Sequence, residues 1–330
     1  MMVNFIIRRL INSVFLVLLV SMIVFTLIRM VPGDPLSALV DAEQQRLIEG
    51  GGGMDPEQAQ QILDDLRAQH GLDLPIPIQY AQWLGNMIQG NFGRSIVRGF
   101  DIATEIGRRM PITLYLGLIA FIVTNIFGIF WGVIAAVRNG TVVDNVVSGV
   151  AILGMTVPGF LMAVVLMYIL SFTMEWLPLH GFNLPWRGDI GVSVRSTVMP
   201  VMVMTFGGIA GMSRQCRSSM LEVINADYVR TAWAKGMREK VVIFKHVLKN
   251  GLMPIVSMQG GMIAGIVGGS VIVETIFNVP GVGSLVVDSM TQLDYPVIQA
   301  VTVMFTFITV MANLVVDLLY GWVDPRIRHS

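Results

Sequence analysis

The sequence predicts an all-α, polytopic membrane protein with six transmembrane helices and a small helical appendage outside the membrane after the first of them. Three observations predict it. Of 330 residues, 54% are apolar and only 13% charged, whereas a soluble domain carries about 25% charged residues. Mean hydropathy is +0.69, and long uncharged runs recur along the chain. Between two of these runs lies a basic island, 214–251. It holds all four lysines of the protein (Lys235, Lys240, Lys245, Lys249) with Arg214, Arg217, Arg230 and Arg238, against Glu222, Asp227 and Glu239.

The first span is Leu10–Ile28, 19 residues without a charge after Arg8 and Arg9. At 1.5 Å per residue it reaches about 29 Å, one hydrocarbon thickness. A signal peptide has a shorter apolar region followed by small residues at a cleavage site. TLIRMVPGDP follows here instead, which favours an uncleaved span. Further spans are expected at 112–137, 146–173, 197–213, 252–273 and 297–319. Pro200, Gly207, Gly208 and Gly211 read as interruptions of the short fourth one. Basic loops stay on the cytoplasmic side, so the island places itself and both termini inside. Arg8, Arg9, Arg138, Arg326 and Arg328 agree with that orientation. Arg94, Arg98, Arg108 and Arg109 fall outside, where an interfacial helix over Asp101–Met110 lets their side chains reach headgroups.

The chain then divides into a cytoplasmic N-terminus with the first span (1–31), an external helical segment (32–107), a transmembrane domain (108–320) and a cytoplasmic tail (321–330). In the external segment, eleven acids face four arginines. Gly50–Gly53 is a flexible joint. Asp55-Pro56-Glu57 starts a helix running to about Gln69, with Asp as N-cap and Pro in the first turn. A second helix is expected over Pro75–Gln89, with Tyr80, Trp83, Leu84 and Met87 on one face. Trp176 and Trp186, in the external 174–196 loop, suit interface anchoring.

Gly128–Gly132, Gly207–Gly211, Gly261–Gly265 and Gly265–Gly269 fit small-xxx-small spacing, for packing within the chain or for a dimer face. Met199, Met202, Met204 and Met212 read as core filling. Cys216 is the sole cysteine and the four histidines are scattered, so neither a disulfide framework nor a metal-ligand cluster is expected. No phosphate-cradling loop, G-x-S-x-G or H-E-x-x-H occurs, which speaks against an enzyme. Glu274 and Asp317 are the ionisable groups within or at the end of spans. Such groups are functional candidates by default, but both sit near an edge where solvation is the competing reading. Thr205, Gln259, Ser270 and Glu274 are the candidates for a translocation path. No chain of paired carboxylates lies mid-span, which disfavours a stand-alone carrier or channel.

Within the island, Asn225 or Asp227 is placed to cap a short helix, Tyr228–Lys235. Gly236 stands at its C-terminal end, and Lys235 complements the negative dipole there. Tyr228, Val229, Ala232 and Trp233 form an apolar patch on this two-turn knob. It would dock on a partner or lie on the lipid surface.

The segment DYVRTAWAKGM at 227–237, preceded by RSSMLE at 217–222, resembles the EAA loop of binding-protein-dependent ABC transporter permeases. More narrowly, it is similar to the first-permease subgroup of the dipeptide/oligopeptide/nickel family. VPGDP at 31–35, GLDLPIPIQYAQWLGN at 71–86, FGRSI at 92–96, MPITLYLG at 110–117, ETIFNVPGVGSL at 274–285 and DPRIR at 324–328 follow in the family's order. Arg230 stands where the broad motif opens with Glu, and Trp233 where the subfamily shows Arg. The resemblance implies a type I importer permease fold in a prokaryotic plasma (inner) membrane. It implies as partners a second homologous permease, one or two ATPase subunits that carry ATP and Mg, and an external solute-binding protein, with no nucleic acid and no cofactor in this chain. Glu222, Asp227, Tyr228, Val229, Arg230, Ala232, Trp233, Lys235 and Gly236 would carry the coupling to the ATPase. Di- or oligopeptides are the expected solutes, with nickel complexes or oligosaccharides as the alternative.

Overall fold

The structure is a computed structural model that describes residues 2–30, 61, 74–179, 181–186 and 188–323. VPGDP at 31–35, the Gly50–Gly53 joint, the helix expected from Asp55 and the DPRIR motif lie outside the described residues.

The described residues are helical apart from short connections and one isolated bridge between Arg94 and Asp101. In chain order they form α1 (Met2–Met30), α2 (Ile76–Ile88), α3 (Ile102–Val137), α4 (Val142–Thr156) and α5 (Gly159–Leu166), which continues as a π-helix over Met167–Thr173. Next come α6 (Ile190–Ile224), α7 (Asp227–Ala234), α8 (Glu239–Val241), a second π-helix (Val242–Leu248) and α9 (Lys249–Gly251). The last three are α10 (Met253–Ile276), α11 (Val282–Thr291) and α12 (Tyr295–Val323). Five helices (α1, α3, α6, α10 and α12) are long and apolar enough to cross a membrane, and the bent pair α4/α5 makes six if counted as one span.

Three expectations need correction. The third span is not straight: its two halves meet at 103°. Pro158 biases its predecessor away from the helical region, and Val157 is extended (φ −75°, ψ 120°). The fourth span is not short. α6 runs 35 residues through Pro200 and takes the first eleven residues of the basic island with it. Gly208 serves close approach rather than interruption, since a Cβ there would lie 2.9 Å from Thr124 Cγ2, while Gly211 faces open space. Asp101–Met110 is not a separate interfacial helix, because α3 is continuous over 36 residues with Pro111 inside it.

The described residues within 1–13, 112–284 and 309–323 form one compact unit, and those within 14–111 and 285–308 form another. In the second unit, α2 lies on α1. Phe25 meets Tyr80 edge-on at 5.4 Å and Trp83 at 5.4 Å, and Ser21 shares a hydrogen with Tyr80 Oη at 2.8 Å. The aromatic stripe expected on α2 is thus what seats it. Asp101 accepts from the Thr104 hydroxyl (2.6 Å) and amide (2.8 Å), which hold its carboxyl below the ordinary range. Asp294 accepts from Ser95 Oγ at 2.5 Å and from the Ile96 amide at 3.2 Å, pinning the FGRSI turn.

The first unit has two cores. One gathers Leu116, Ala163, Met199, Val203 and Phe277; the other gathers Met212, Cys216, Met220, Val229, Val242 and Val247. Gly128 and Gly132 pack on Met212 and Cys216 of α6, so that small-residue face is used within the chain. Gly261, Gly265 and Gly269 meet nothing within 4 Å. Asp317 is not left to solvent alone: it pairs with Arg9 at 2.8 Å, which puts the start of α1 and the end of α12 at the same end of this unit.

Candidate functional site

The basic island is a folded module rather than a loop. α6 carries it to Ile224, α7 forms the knob, and α8, the second π-helix and α9 lead back toward α10. α7 spans Asp227–Ala234, one residue earlier than expected. Neither Asn225 nor Asp227 caps it. The N-cap is Ala226 with no side-chain bond, Asn225 turns back to the Leu221 carbonyl at 3.0 Å, and Asp227 opens the first turn, where its charge favours the helix dipole. The other end matches the expectation. Gly236 has φ +72°, its amide donates to the Trp233 carbonyl at 2.9 Å, and Met237 N donates to the Ala232 carbonyl at 3.4 Å. These two bonds are a Schellman closure, which needs a left-handed residue at this position.

The expected patch splits in two. Val229 (0% exposed) and Ala232 (5%) point into the core beside Met220, Val242 and Val247, so neither is presented to a partner. Tyr228 and Trp233, each 45% exposed, flank that buried face. At 100° per residue they sit about 140° apart, and the outer crest between them carries Asp227, Arg230, Thr231 and Ala234, all exposed. Tyr228 is steadied by Asn250 Nδ2, which donates to its hydroxyl at 2.9 Å. The second π-helix buries Val242 and Val247 while Phe244 is 61% exposed. Its i→i+5 bonding brings residues five apart closer to one face than an α-helix does. Glu222, Lys235 and Gly236 are exposed around the knob.

A contact the sequence reading missed braces this module. Arg217 on α6 grips Asp144 on α4, Nε to Oδ1 at 2.5 Å and Nη2 to Oδ2 at 2.8 Å, and Nη2 also donates to Asn139 Oδ1 at 3.0 Å. The Asp144 side chain is 3% exposed and accepts in addition from the Gly140 amide at 2.9 Å. Two opposite charges in loops assigned to the same side were the available signal.

The translocation-path candidates are not brought together into an open surface. Thr205 is 3% exposed and its hydroxyl returns to the Val201 carbonyl at 2.8 Å. Ser270 is 1% exposed and bonds Val267 O at 2.8 Å. Gln259 reaches Asn125 Oδ1 at 2.9 Å. Glu274 is 0% exposed, which overturns the solvated reading. It accepts from Thr113 Oγ1 at 2.7 Å and from the Ser284 amide at 3.0 Å. The carboxylate sits at the N-terminus of α11, where backbone amides and the helix dipole favour a negative charge. Gly281 and Gly283 make room for it, which explains the glycines of ETIFNVPGVGSL.

Comparison with known proteins agrees over the whole chain. Residues 128–329 match the family described as binding-protein-dependent transport system inner membrane component, and residues 2–117 match the N-terminal region of such membrane components. The oligopeptide transport system permease protein AppB of Bacillus subtilis (strain 168) is 38% identical over 330 residues, covering 99% of this chain and 100% of its own. The glutathione transport system permease protein GsiC of Escherichia coli (strain K12) is 36% identical over 329 residues, with both chains fully covered. Among solved structures, a chain of the crystal structure of an amino acid ABC transporter with histidines superposes with a TM-score of 0.52 at 13% identity. It covers 66% of this chain and 94% of that one, and shows a shared fold.

Proposed function

Because the chain belongs to the family of binding-protein-dependent transport system inner membrane components, we propose that it is the permease subunit of an ATP-driven importer of di- or oligopeptides, coupled to its ATPase through α7. The observation that carries this reading is the division of labour on α7: Val229 and Ala232 fasten it to the spans, while Tyr228 and Trp233 stand exposed. A lever must be rigid toward what it moves and accessible toward what moves it. The chain itself is a transport component, and ATP with Mg²⁺ belongs to separate ATPase subunits. Nucleotide binding there shifts the population of the permease by way of the differential contacts that α7 makes in the two states.

A second homologous permease would complete the path. The unfilled face at Gly261, Gly265 and Gly269 of α10 supports such a neighbour, since small residues let helix backbones approach. Orientation follows from the island, whose cations favour the cytoplasmic side, with both termini on that side and an external binding protein on the other. Peptide is the solute class named for AppB, and glutathione, itself a peptide, for GsiC.

The test is a mild-detergent pull-down of the tagged chain from native membranes, followed by reconstitution of what is retained. Recovery of a second permease and ATPase subunits, with peptide uptake that needs an added binding protein and ATP, is the expected result. A chain that comes out alone and conducts solute without ATP would overturn the proposal.

A further inference from the structure

The unit holding α3, α4 and α6 contains a cavity of about 210 Å³ that the coupling site does not use. Its rim is Trp131, Val146 and Val150, which are 41%, 56% and 54% exposed; its floor includes Ala151 and Ala210, 6% and 5% exposed. Ser213 alone among the lining residues has a polar side chain other than the Trp131 indole. The floor is set by close approach at Gly154, where a Cβ would lie 2.8 Å from Ala210 Cβ. The walls come from α3 and α6, each long and apolar enough to cross a membrane, and from α4, which passes that test together with α5.

One end of this groove is basic. Arg217 is one turn beyond Ser213 on α6, about 6 Å along the axis, and keeps 29% of its side chain exposed while paired to Asp144. Arg138 follows the last residue of α3, seven positions beyond Trp131, and is exposed, as is Arg214. Arg217 is held by Asp144 and by Asn139, the neighbour of Arg138, while Arg214 directly follows the lining residue Ser213. A mainly apolar slot with cations at one end matches the two halves of a single molecule class, an acyl chain and an anionic headgroup.

We propose that this groove binds one membrane phospholipid with an anionic headgroup, its acyl chain between α4 and α6 and its phosphate at Arg138 and Arg214. A transmembrane helix, roughly 10 Å across, would have to lie over the rim instead of entering the slot. The bound chain fills the space beside the first half of the bent pair α4/α5.

The test uses the purified complex in lipid nanodiscs with brominated phosphatidylglycerol or brominated phosphatidylcholine at equal mole fraction. The readout is the quenching assigned to Trp131, the difference between wild type and Trp131→Phe. Stronger quenching by phosphatidylglycerol is expected, and Arg138→Gln or Arg214→Gln lowers that preference about fivefold each. Val150→Phe, at an exposed rim position, abolishes the Trp131 quenching by both lipids without disturbing the floor. Equal quenching by the two lipids would mean unspecific boundary lipid and overturn the proposal. So would quenching that emerges only when the other subunits are stripped away, which would assign the groove to a neighbouring protein helix.

Discussion

The Glu274 carboxylate accepts the Thr113 hydroxyl at 2.7 Å across 161 residues of sequence. The same hydroxyl accepts the Val282 amide at 2.9 Å. One carboxylate and one threonine therefore hold together the start of the membrane part of α3, the end of α10 and the first turn of α11. A buried charge is retained only where hydrogen bonds replace its water.

Removing the Thr113 hydroxyl takes one hydrogen bond from the buried Glu274 carboxyl. Thr113→Val is expected to cost about 1–3 kcal/mol, since it leaves a buried acceptor under-satisfied. Gly283→Ala would set a Cβ 2.6 Å from the Val271 Cα and should cost about as much through overpacking. Gly265→Ala, which meets nothing within 4 Å, should stay within about 0.5 kcal/mol in the isolated chain. Thermal unfolding in detergent ranks the three; equal losses would mean that the turn is not packed as described.

The Arg217–Asp144 pair predicts a large loss for the single variant and a small one for the double. Arg217→Met alone leaves a carboxylate 3% exposed without its cation and is expected to cost about 3–5 kcal/mol. Combining it with Asp144→Leu should recover most of the loss, because two apolar groups of similar size carry no desolvation cost. A double variant no more stable than Arg217→Met refutes the pairing.

On α7 the two halves of the patch should respond differently. Trp233→Asp with Tyr228→Asp is expected to leave the chain folded and lose transport together with stimulation of ATP hydrolysis by the binding protein. Val229→Asp, at a site 0% exposed, should instead lower the yield of folded chain. Size-exclusion chromatography separates the outcomes, and normal uptake by the Tyr228/Trp233 variant would remove α7 from the coupling role.

Gly236 offers a finer probe. Its φ of +72° is open to Gly and tolerable for Asn, but costs roughly 1 kcal/mol or more for other residues. Gly236→Asn should keep coupling and Gly236→Val should weaken it, read as transported solute per ATP hydrolysed. Identical ratios would show that the closure of α7 does not matter to its function.

Much of this molecule was legible in its residues because the signals are local. The length of an apolar run decides whether it can span, so the expected runs Leu10–Ile28 and 297–319 fall inside α1 and α12, and 252–273 begins one residue before α10. A positive-φ glycine after a two-turn helix is also local, and Gly236 was found for that reason. Pro158-Gly159 was local too, yet apolar residues continue across it, and hydropathy alone does not register a bend.

What only the tertiary structure decided is which groups meet. Nothing near Glu274 in sequence says that Thr113 and the Ser284 amide will satisfy it; that depends on α3 and α11 arriving at one point. Val229 and Tyr228 are adjacent and both apolar in character, but burial belongs to the neighbour that covers a face, here Met220, Val242 and Val247. Arg217 and Asp144 carry charges that any sequence reading counts, while their pairing comes from helices packed side by side. The amino-acid sequence by itself determined the membrane class, the long apolar helices and the short glycine-ended helix of the basic island, because hydrophobicity and backbone preference act over a few residues. The tertiary structure alone decided which polar groups are buried and satisfied, because that requires partners drawn from distant parts of the chain.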